Sequence, residues 1–412
     1  MLYQKPKGTR DIYGRDLQRH EAVCAAARNF FGKNGYQEIK TPTFENAELF
    51  IRSIGEHTDI VEKENYTFEA SKKVYMLRPE GTASVLRAII ENKISLPCRF
   101  LYIEPMFRKE RPQKGRYREF FQIGIELIGE DGALYDAEMI EQGKVFLESI
   151  GASNFTIEIN SIGCPVCRQK YKKILKDHLK SKTDKLCQNC IIRLDRNFLR
   201  IFDCKEATCQ GIYNEAPKVT DNLCADCKQH YQTVKDFLRI FGVVFNENKK
   251  LVRGLDYYTR TVFEFKHKLL GAQDTILAGG RYDLLMAELG GGDAPALGWA
   301  MGVDRMLLGI PQEKPDLKKR KKIFIATLGK ELIGEAIKLR DSIQDHDHIC
   351  ILGNPQDTIK QQLKRADRSQ AEYTILYGED EARVNVCNIK NMKTGKQEQL
   401  ALKDFPNFLE NI

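Results

Sequence analysis

Apolar positions recur at helical spacing through residues 16–35, DLQRHEAVCAAARNFFGKNG, and stop at Gly35, which predicts an amino-terminal helix ended by a glycine. YQEIKTPTFEN then reads as a strand interrupted at Pro42, and KKVYMLRPEGTASVLRAIIENK as a strand, a turn and a helix. In CRFLYIEPMFRKERPQKGRYREFFQIGIELIG two long apolar runs flank a polar, basic loop around RPQKGR, the pattern of a β-hairpin. DAEMIEQGKVFLESIG predicts a helix and NFTIEINSIG a strand that leads into a cysteine-rich stretch. Beyond that stretch, YQTVKDFLRIFG predicts a helix, LVRGLDYYTRTVFEF (251–265) and ILAGGRYD predict strands, and PALGWAMGVDRMLLG predicts a small-residue strand running into a helix. Strands follow strands with few crossovers, so the expected fold is α+β, a mostly antiparallel sheet flanked by helices.

The pattern changes after residue 310. PQEKPDLKKRKK (311–322) is poor in apolar residues and ends in five consecutive basic ones, as a linker would. Beyond it IFIATLG, KELIGEAIKLRDSIQ, HICILG, IKQQLKRADRS and AEYTILYG alternate strand and helix, which predicts a βαβαβ unit with a parallel sheet and a separate carboxy-terminal α/β domain. The expected organisation is a core in two parts, 1–160 and 233–312, interrupted by a Cys-rich insertion at 161–232 and joined by a linker at 313–322 to a domain at 323–412.

Composition adds less. The 412 residues are 42% hydrophobic and 30% charged, as in a soluble globular protein, and 65 Lys and Arg against 57 Asp and Glu leave a net charge of +8. That excess permits a polyanionic partner without requiring one. MLYQKPKGTRDIYGRD carries charges throughout and lacks the apolar stretch of a signal peptide, and no later run is long enough for a membrane span, so the expected location is cytoplasmic.

Cysteine usage is uneven: eight of twelve fall between Cys164 and Cys227. They read CPVC (Cys164, Cys167), nineteen residues, CQNC (Cys187, Cys190), then Cys204, Cys209 and CADC (Cys224, Cys227). CxxC pairs at such separations point to zinc, and eight thiolates suffice for two four-cysteine sites. Spacing leaves two assignments open, consecutive quartets (164, 167, 187, 190 with 204, 209, 224, 227) or an interleaved set. Reduced, metal-free thiols packed among helices are the alternative, and Cys204 after the apolar run LRIF would serve as plain core.

The hairpin carries the first candidate chemistry. Six Arg or Lys residues lie between Arg108 and Arg118 beside Phe120 and Phe121, and Arg108 falls inside an apolar strand. A solvated basic hairpin has this composition too, but cations beside an aromatic platform suit a nucleoside triphosphate, with guanidinium forks for phosphate and a ring for the base. Arg305, at the start of the helix after GWAMG, adds a cation, and Gly298 and Gly302 would let backbone approach a ligand closely. No GxxxxGK[ST] sequence occurs, so a triphosphate would be held by side-chain arginines rather than by a P-loop. LVRGLDYYTRTVFEF places Arg253, Asp256, Tyr257 and Tyr258 on an otherwise apolar strand; a buried Arg253–Asp256 ion pair is the plain reading, and a ligand pocket the functional one.

These stretches together resemble the histidyl-tRNA synthetase family of class II aminoacyl-tRNA synthetases along the whole chain. GYQEIKTPTFE resembles motif 1, the dimer-forming segment with its proline; FRKERPQKGRYREFFQIGIE resembles motif 2 and GWAMGVDRMLL motif 3. LVRGLDYYTRTVFEF and AGGRYD resemble the two signatures peculiar to the histidine enzymes. The resemblance implies a class II catalytic core with an insertion domain and a carboxy-terminal anticodon-binding domain, working as a homodimer on ATP with Mg2+, L-histidine and tRNA(His). Arg108 and Arg253 would act on the reacting α-phosphate, Arg253 also touching the histidine carboxylate. Glu110 and Phe120 would hold adenine, and Arg116 and Arg305 the outer phosphates. Glu80 and Thr82 would take the α-amino group with Gln122 nearby, and Glu126, Tyr257, Tyr258 and Tyr282 would surround the imidazole. Because many members of the family lack the cysteines, any zinc would be structural.

Two other functions share parts of the pattern. The non-catalytic paralogue that regulates ATP phosphoribosyltransferase has the same core but would be expected to lack the ATP-binding arginines and the anticodon domain. A zinc-module nucleic-acid binder would explain the cysteines but leave the hairpin and the tyrosines without purpose. RQKYKKILKDHLKSKTDK, between the first two CxxC pairs, has eight basic residues against two acidic ones, which suits either a solvated helix face or contact with tRNA phosphates.

Overall fold

The computed structural model describes residues 3–55, 58–113, 115–267, 274–310, 321–346 and 348–412, so most of the expected linker lies outside the described residues. The chain divides into two compact units, Met1–Glu313 and Lys314–Ile412.

The first unit opens with α1 (Gly14–Lys33), followed by the short strands β1 (Gln37–Glu38) and β2 (Phe44–Asn46) and helices α2 (Ala47–Ile54) and α3 (Asp59–Glu62). Strands β3 (Thr67–Ala70) and β4 (Lys73–Leu77) lead to α4 (Thr82–Glu91), and the hairpin is β5 (Cys98–Phe107) and β6 (Glu119–Ile128). Helix α5 (Ala133–Ser149) and strand β7 (Phe155–Ser161) precede the Cys-rich module, built from α6 (Pro165–Leu179), α7 (Gln188–Arg196), α8 (Ala207–Glu215), intervening 3-10 turns and α9 (Ala225–Ile240). Strands β8 (Asn246–Glu247), β9 (Thr259–His267), β10 (Thr275–Arg281), helix α10 (Leu285–Glu288), strand β11 (Ala296–Gly302) and α11 (Val303–Gly309) complete the unit.

Eight strands form one sheet in the order β1-β5-β6-β11-β10-β9-β7-β8, antiparallel except where the edge strands β1 and β8 pair parallel to β5 and β7. Alternation along each strand sorts its side chains onto two faces. Leu101 and Ile103 of β5, Ile123, Ile125 and Leu127 of β6, Trp299 and Met301 of β11, and Phe263 and Phe265 of β9 pack with residues of α1, α5 and α9 in one buried core. The intervening positions, Gln122, Gly124 and Glu126, Glu264, and Gly298, Ala300 and Gly302, point the other way. That second face is small or polar at its centre, and it carries the site.

Two sequence expectations need correction here. Residues 251–258 are not a strand: β9 starts only at Thr259, and LVRGLDYY forms an irregular turn before it. Arg108 lies one residue beyond the end of β5, although its amide still donates to Arg118 O at 2.9 Å. The apolar alternation continues past the point where the backbone leaves the ladder, because those side chains are buried by a pocket wall rather than by a neighbouring strand.

In the second unit β12 (Lys322–Thr327), α12 (Ile333–Asp345), β13 (Ile349–Leu352), α13 (Ile359–Arg368) and β14 (Tyr373–Tyr377) form a parallel βαβαβ unit. After α14 (Glu379–Arg383), strands β15 (Val386–Asn391) and β16 (Gln397–Ala401) extend the sheet antiparallel, giving the order β13-β12-β14-β15-β16, and α15 (Phe405–Glu410) packs its Phe405 and Leu409 into the core. Thr358 starts α13 with a reciprocal cap, accepting from Gln361 N at 3.3 Å while Gln361 Oε1 accepts from Thr358 N at 2.8 Å.

Candidate active site

Site residues come from the turn before α4, the hairpin β5–β6, β9 with the irregular turn before it, β10 with the residue after it, and the β11–α11 junction. Their side chains line an open cavity of about 260 Å³. Arg108, Arg253 and Arg305 all line it, as do Glu80, Thr82, Glu110, Arg116, Phe120, Gln122, Tyr257 and Tyr258. Glu126 and Tyr282 sit behind this lining in the pocket wall, each 1% exposed.

The cationic end is crowded. Arg108 donates through Nε to Pro79 O at 2.9 Å and lies 5.4 Å from the centre of the Phe120 ring. Arg305 donates to Thr275 O at 3.1 Å. Glu110, almost fully buried, pairs with Arg116 and lies 3.8 Å from Arg108. Burial, and then the charges of Arg305 and Arg108, push the Arg116 guanidinium down to about 10. Arg305 is lowered by burial and by Arg108, and Arg108 chiefly by burial. Three guanidiniums that disfavour one another's charge make a strong positive potential, which an incoming anion relieves.

Arg253 corrects a further expectation. Its guanidinium pairs with Glu264 of β9, not with Asp256, and lies 5.6 Å from the Tyr258 ring centre. Burial disfavours its charge, but Glu264 and Tyr258 outweigh burial and raise it, so the arginine stays charged in the cavity wall. Asp256 instead accepts from the Asn197 amide. Glu264, which also accepts from Thr275 Oγ1 at 3.0 Å, is a site residue sequence reasoning missed. Its signal was the lone carboxylate in an apolar strand, TVFEF.

The uncharged end is built around Glu126. Its carboxylate accepts from Thr82 Oγ1 at 2.6 Å and from the Tyr282 hydroxyl. Burial pushes its acid constant up to about 8 against an ordinary 4.5. Tyr257, Tyr258 and Tyr282 cluster beside it with ring centres 4.7, 5.5 and 6.4 Å apart. Glu80 caps α4, accepting from Thr82 N at 2.6 Å and Ala83 N at 3.0 Å, with Arg108 nearby. Three lining side chains keep buried polar atoms without a partner among the described residues: Gln122 Oε1, Tyr102 Oη and Arg253 Nε. Buried polar atoms are ordinarily paired, so these are the groups a polar ligand would satisfy. Tyr102 and the buried Arg78, which bonds Glu104 at 2.7 Å and Pro105 O at 2.8 Å beneath the LRPEGT turn, are supports the sequence reading also passed over.

Gly298 has a second role besides the one its sequence suggests. A Cβ on it would meet Glu126 Oε2 at 1.8 Å, so the glycine makes room for the carboxylate as well as lining the cavity. Gly298→Ala is expected to lower stability by about 3 kcal/mol through this overlap, measured by thermal or urea unfolding. Gly302→Ala, whose Cβ would meet only Arg305 Cβ at 3.9 Å, is the matched control and should unfold like the parent.

The cysteines resolve into two quartets. Sulfurs of Cys164, Cys167, Cys224 and Cys227 lie within 4.8 Å of one another, and so do those of Cys187, Cys190, Cys204 and Cys209. Of the two open assignments, the consecutive one is excluded and the quartets are nested, one inside the other along the chain. Cys204 is therefore a member of a quartet as well as buried.

The family model described as Histidyl-tRNA synthetase matches residues 8–306, and that described as Anticodon binding domain matches residues 322–412. A protein of Thermosipho melanesiensis named Histidine--tRNA ligase is 45% identical over 97% of this chain and 96% of its own length. The protein of that name from Halothermothrix orenii is 42% identical over the full length of both. Among solved structures, apo histidyl-tRNA synthetase from S. aureus superposes with a TM-score of 0.80 at 32% identity, covering 99% of this chain and 100% of its own. An ATP phosphoribosyltransferase regulatory subunit/histidyl-tRNA synthetase from Bacillus halodurans, at 20% identity and a TM-score of 0.67, shares the fold. With its arginine-lined cavity and both family models matched in sequence, this chain belongs to the histidyl-tRNA synthetase family.

Proposed function

We propose that the chain is a histidine--tRNA ligase that activates L-histidine with ATP and transfers it to the 3′ end of tRNA(His). The observation that carries this reading is the joining of two environments in one cavity: mutually crowded guanidiniums at one end and a buried carboxyl among tyrosines at the other.

Histidine's carboxylate attacks the α-phosphorus, the bond to the β-phosphate oxygen breaks, and pyrophosphate leaves. Charge grows on the α-phosphoryl oxygens, where Arg108 and Arg253 stand already placed by Pro79 O and by Glu264. Fixed donors of this kind need no reorganisation when charge develops. Arg116 and Arg305 take the outer phosphates, while Phe120 and Glu110 take adenine. Glu80 and Thr82, with Gln122, receive the α-amino group, and Glu126 with Tyr257, Tyr258 and Tyr282 receives the imidazole. Magnesium would supply charge neutralisation on the departing phosphates, whose oxygens would be its ligands; the cavity carboxylates Glu110 and Glu264 are already paired with Arg116 and Arg253. In the second step the terminal ribose hydroxyl attacks the activated carbonyl and releases AMP.

Three further assignments belong to this reading. Phe44, Phe68 and Val74 are 48, 40 and 47% exposed on the separate three-stranded sheet β2-β4-β3, where motif 1 ends, and Phe44 packs edge-on to Phe68 at 5.5 Å, a patch we assign to the partner copy of a homodimer. The two quartets, with thiolate-only donors in fours, suit structural zinc and would each be closed tetrahedral sites. The basic stretch 168–185 supplies contacts to tRNA phosphates, and the enzyme works in the cytoplasm with its tRNA. Among the described residues no helix is long and apolar enough to cross a membrane.

The test is transfer of labelled histidine to tRNA in the presence of ATP. Charging with histidine and with no other amino acid supports the reading; its absence in correctly folded protein favours the regulatory paralogue.

A further inference from the structure

The Cys-rich module is joined to the histidine end of the cavity through a chain of contacts that nothing in the adenylation chemistry requires. Strand β7 continues its ladder past its last residue: Ile162 N donates to Arg260 O at 2.8 Å and Arg260 N to Gly163 O at 3.0 Å. The first CxxC pair follows at once. Gly163 has a φ of +69°, and a Cβ there would meet Cys167 Cβ at 2.5 Å, so the chain turns tightly enough to bring the first quartet against the end of the sheet. Cys224 N donates to Cys167 Sγ at 3.1 Å across 57 residues, so the outer quartet joins the first turn of α6 to the first turn of α9.

Arg168 stands next to Cys167 in that first turn. Its Nη1 donates to Tyr258 O at 3.2 Å and lies 3.4 Å from Asp256 O, across the backbone of the tyrosine pair. From the inner quartet's side of the module, Asn197 donates to the Asp256 carboxylate. Residues 256–258 belong to the irregular turn before β9 and have no strand partner there to fix them. Among the described residues, the backbone hydrogen bond made by the Asp256 amide is to Ile54 O at 3.2 Å. The module thus provides much of what holds Tyr257 and Tyr258 in the pocket wall.

We propose that the outer quartet is a positioning centre for the tyrosine pair: zinc on Cys164, Cys167, Cys224 and Cys227 fixes the first turn of α6, and Arg168 carries that order to the carbonyls of Asp256 and Tyr258. This rests on the histidine-ligase and zinc readings above. Because the two sites then share one ordered element, coupling runs both ways. The metal tightens histidine binding, and histidine tightens metal binding by the same factor, which shows as slower loss of the metal. Arg168 is a positioning residue that touches neither histidine nor ATP.

The test uses the full-length holoenzyme with Arg168→Ala and Arg168→Lys. Metal content comes from elemental analysis, KM values from histidine-dependent exchange of pyrophosphate into ATP, and zinc release from a chromogenic chelator. R168A is expected to keep two zinc ions per chain and to raise the KM for histidine about tenfold while the KM for ATP stays within about twofold, with R168K recovering part of the loss. Histidine should slow zinc release from the parent enzyme and have no such effect on R168A. The proposal is overturned if R168A keeps its zinc and its histidine KM, or if histidine leaves zinc release from the parent unchanged. The second measurement needs no variant, so a misfolded R168A does not rescue the idea. Absence of zinc from the parent sinks the metal reading and this proposal with it. Absence of histidine-dependent exchange sinks the ligase reading alone, since the effect of histidine on zinc release is read without turnover.

Discussion

Arg253→Ala is expected to slow histidine-dependent adenylate formation by about 10³-fold, the loss typical of removing one fixed donor to a developing oxyanion. The expectation follows from where the guanidinium sits. It lines the cavity beside Tyr258 and is held there by Glu264, which in turn is anchored by Thr275 Oγ1 at 3.0 Å. Removing the arginine leaves Glu264 part-buried beside a site that must bind polyphosphate, so some of the loss could come from a stray carboxylate rather than from the missing donor. The double variant Arg253→Ala, Glu264→Gln separates these. If the donor matters for catalysis, neutralising Glu264 recovers stability in urea unfolding and leaves the exchange rate low. Recovery of rate in the double variant, or a loss of less than about tenfold in the single one, would reassign Arg253 to structure.

Glu126→Gln should have the second large effect, a fall of about 10³-fold or more in kcat/KM for histidine, since a site built to hydrogen-bond its substrate rejects a mismatched partner strongly. The glutamine keeps the volume, but it presents an amide where Thr82 Oγ1 and the Tyr282 hydroxyl both donate to a carboxylate. The same substitution has a signature in stability. Burial raises the Glu126 carboxyl to about 8 from an ordinary 4.5, so the fold favours its protonated form. That contribution is fully present below pH 4.5 and is lost as pH rises through about 8. Parent enzyme should therefore lose stability relative to E126Q across this window, by as much as about 5 kcal/mol. A stability difference that does not vary between pH 5 and 9 would contradict the burial of an ionisable group there.

How much of this was legible in the sequence differs from element to element. The hairpin β5–β6 was plain, because two alternating apolar runs flank a basic loop and both strands are buried on both faces. The parallel βαβαβ unit was equally plain. Strand β16 was not: Gln397, Glu398 and Gln399 face solvent at the sheet edge, so the apolar rhythm that marks a strand is absent. In the site, Arg108, Arg253 and the tyrosines stood out as polar groups in apolar surroundings, and the family resemblance gave them roles. Partner choice was beyond the sequence. Whether Arg253 pairs with Asp256 or Glu264 depends on a turn whose path local pattern does not encode, and alternation carried the strand reading eight residues too far. The cysteines show the same boundary. CxxC spacing announced two sites, but only the placement of α6 beside α9 and of α7 beside α8 decides which sulfurs meet.

One claim underlies the rest: preplaced guanidiniums and a buried carboxyl share a cavity because histidine and ATP react there. Exchange of labelled pyrophosphate into ATP measures that reaction without tRNA. Exchange should be stimulated by histidine alone among the amino acids and be lost in Arg253→Ala. Exchange equal with and without histidine, or undiminished in that variant, would contradict it.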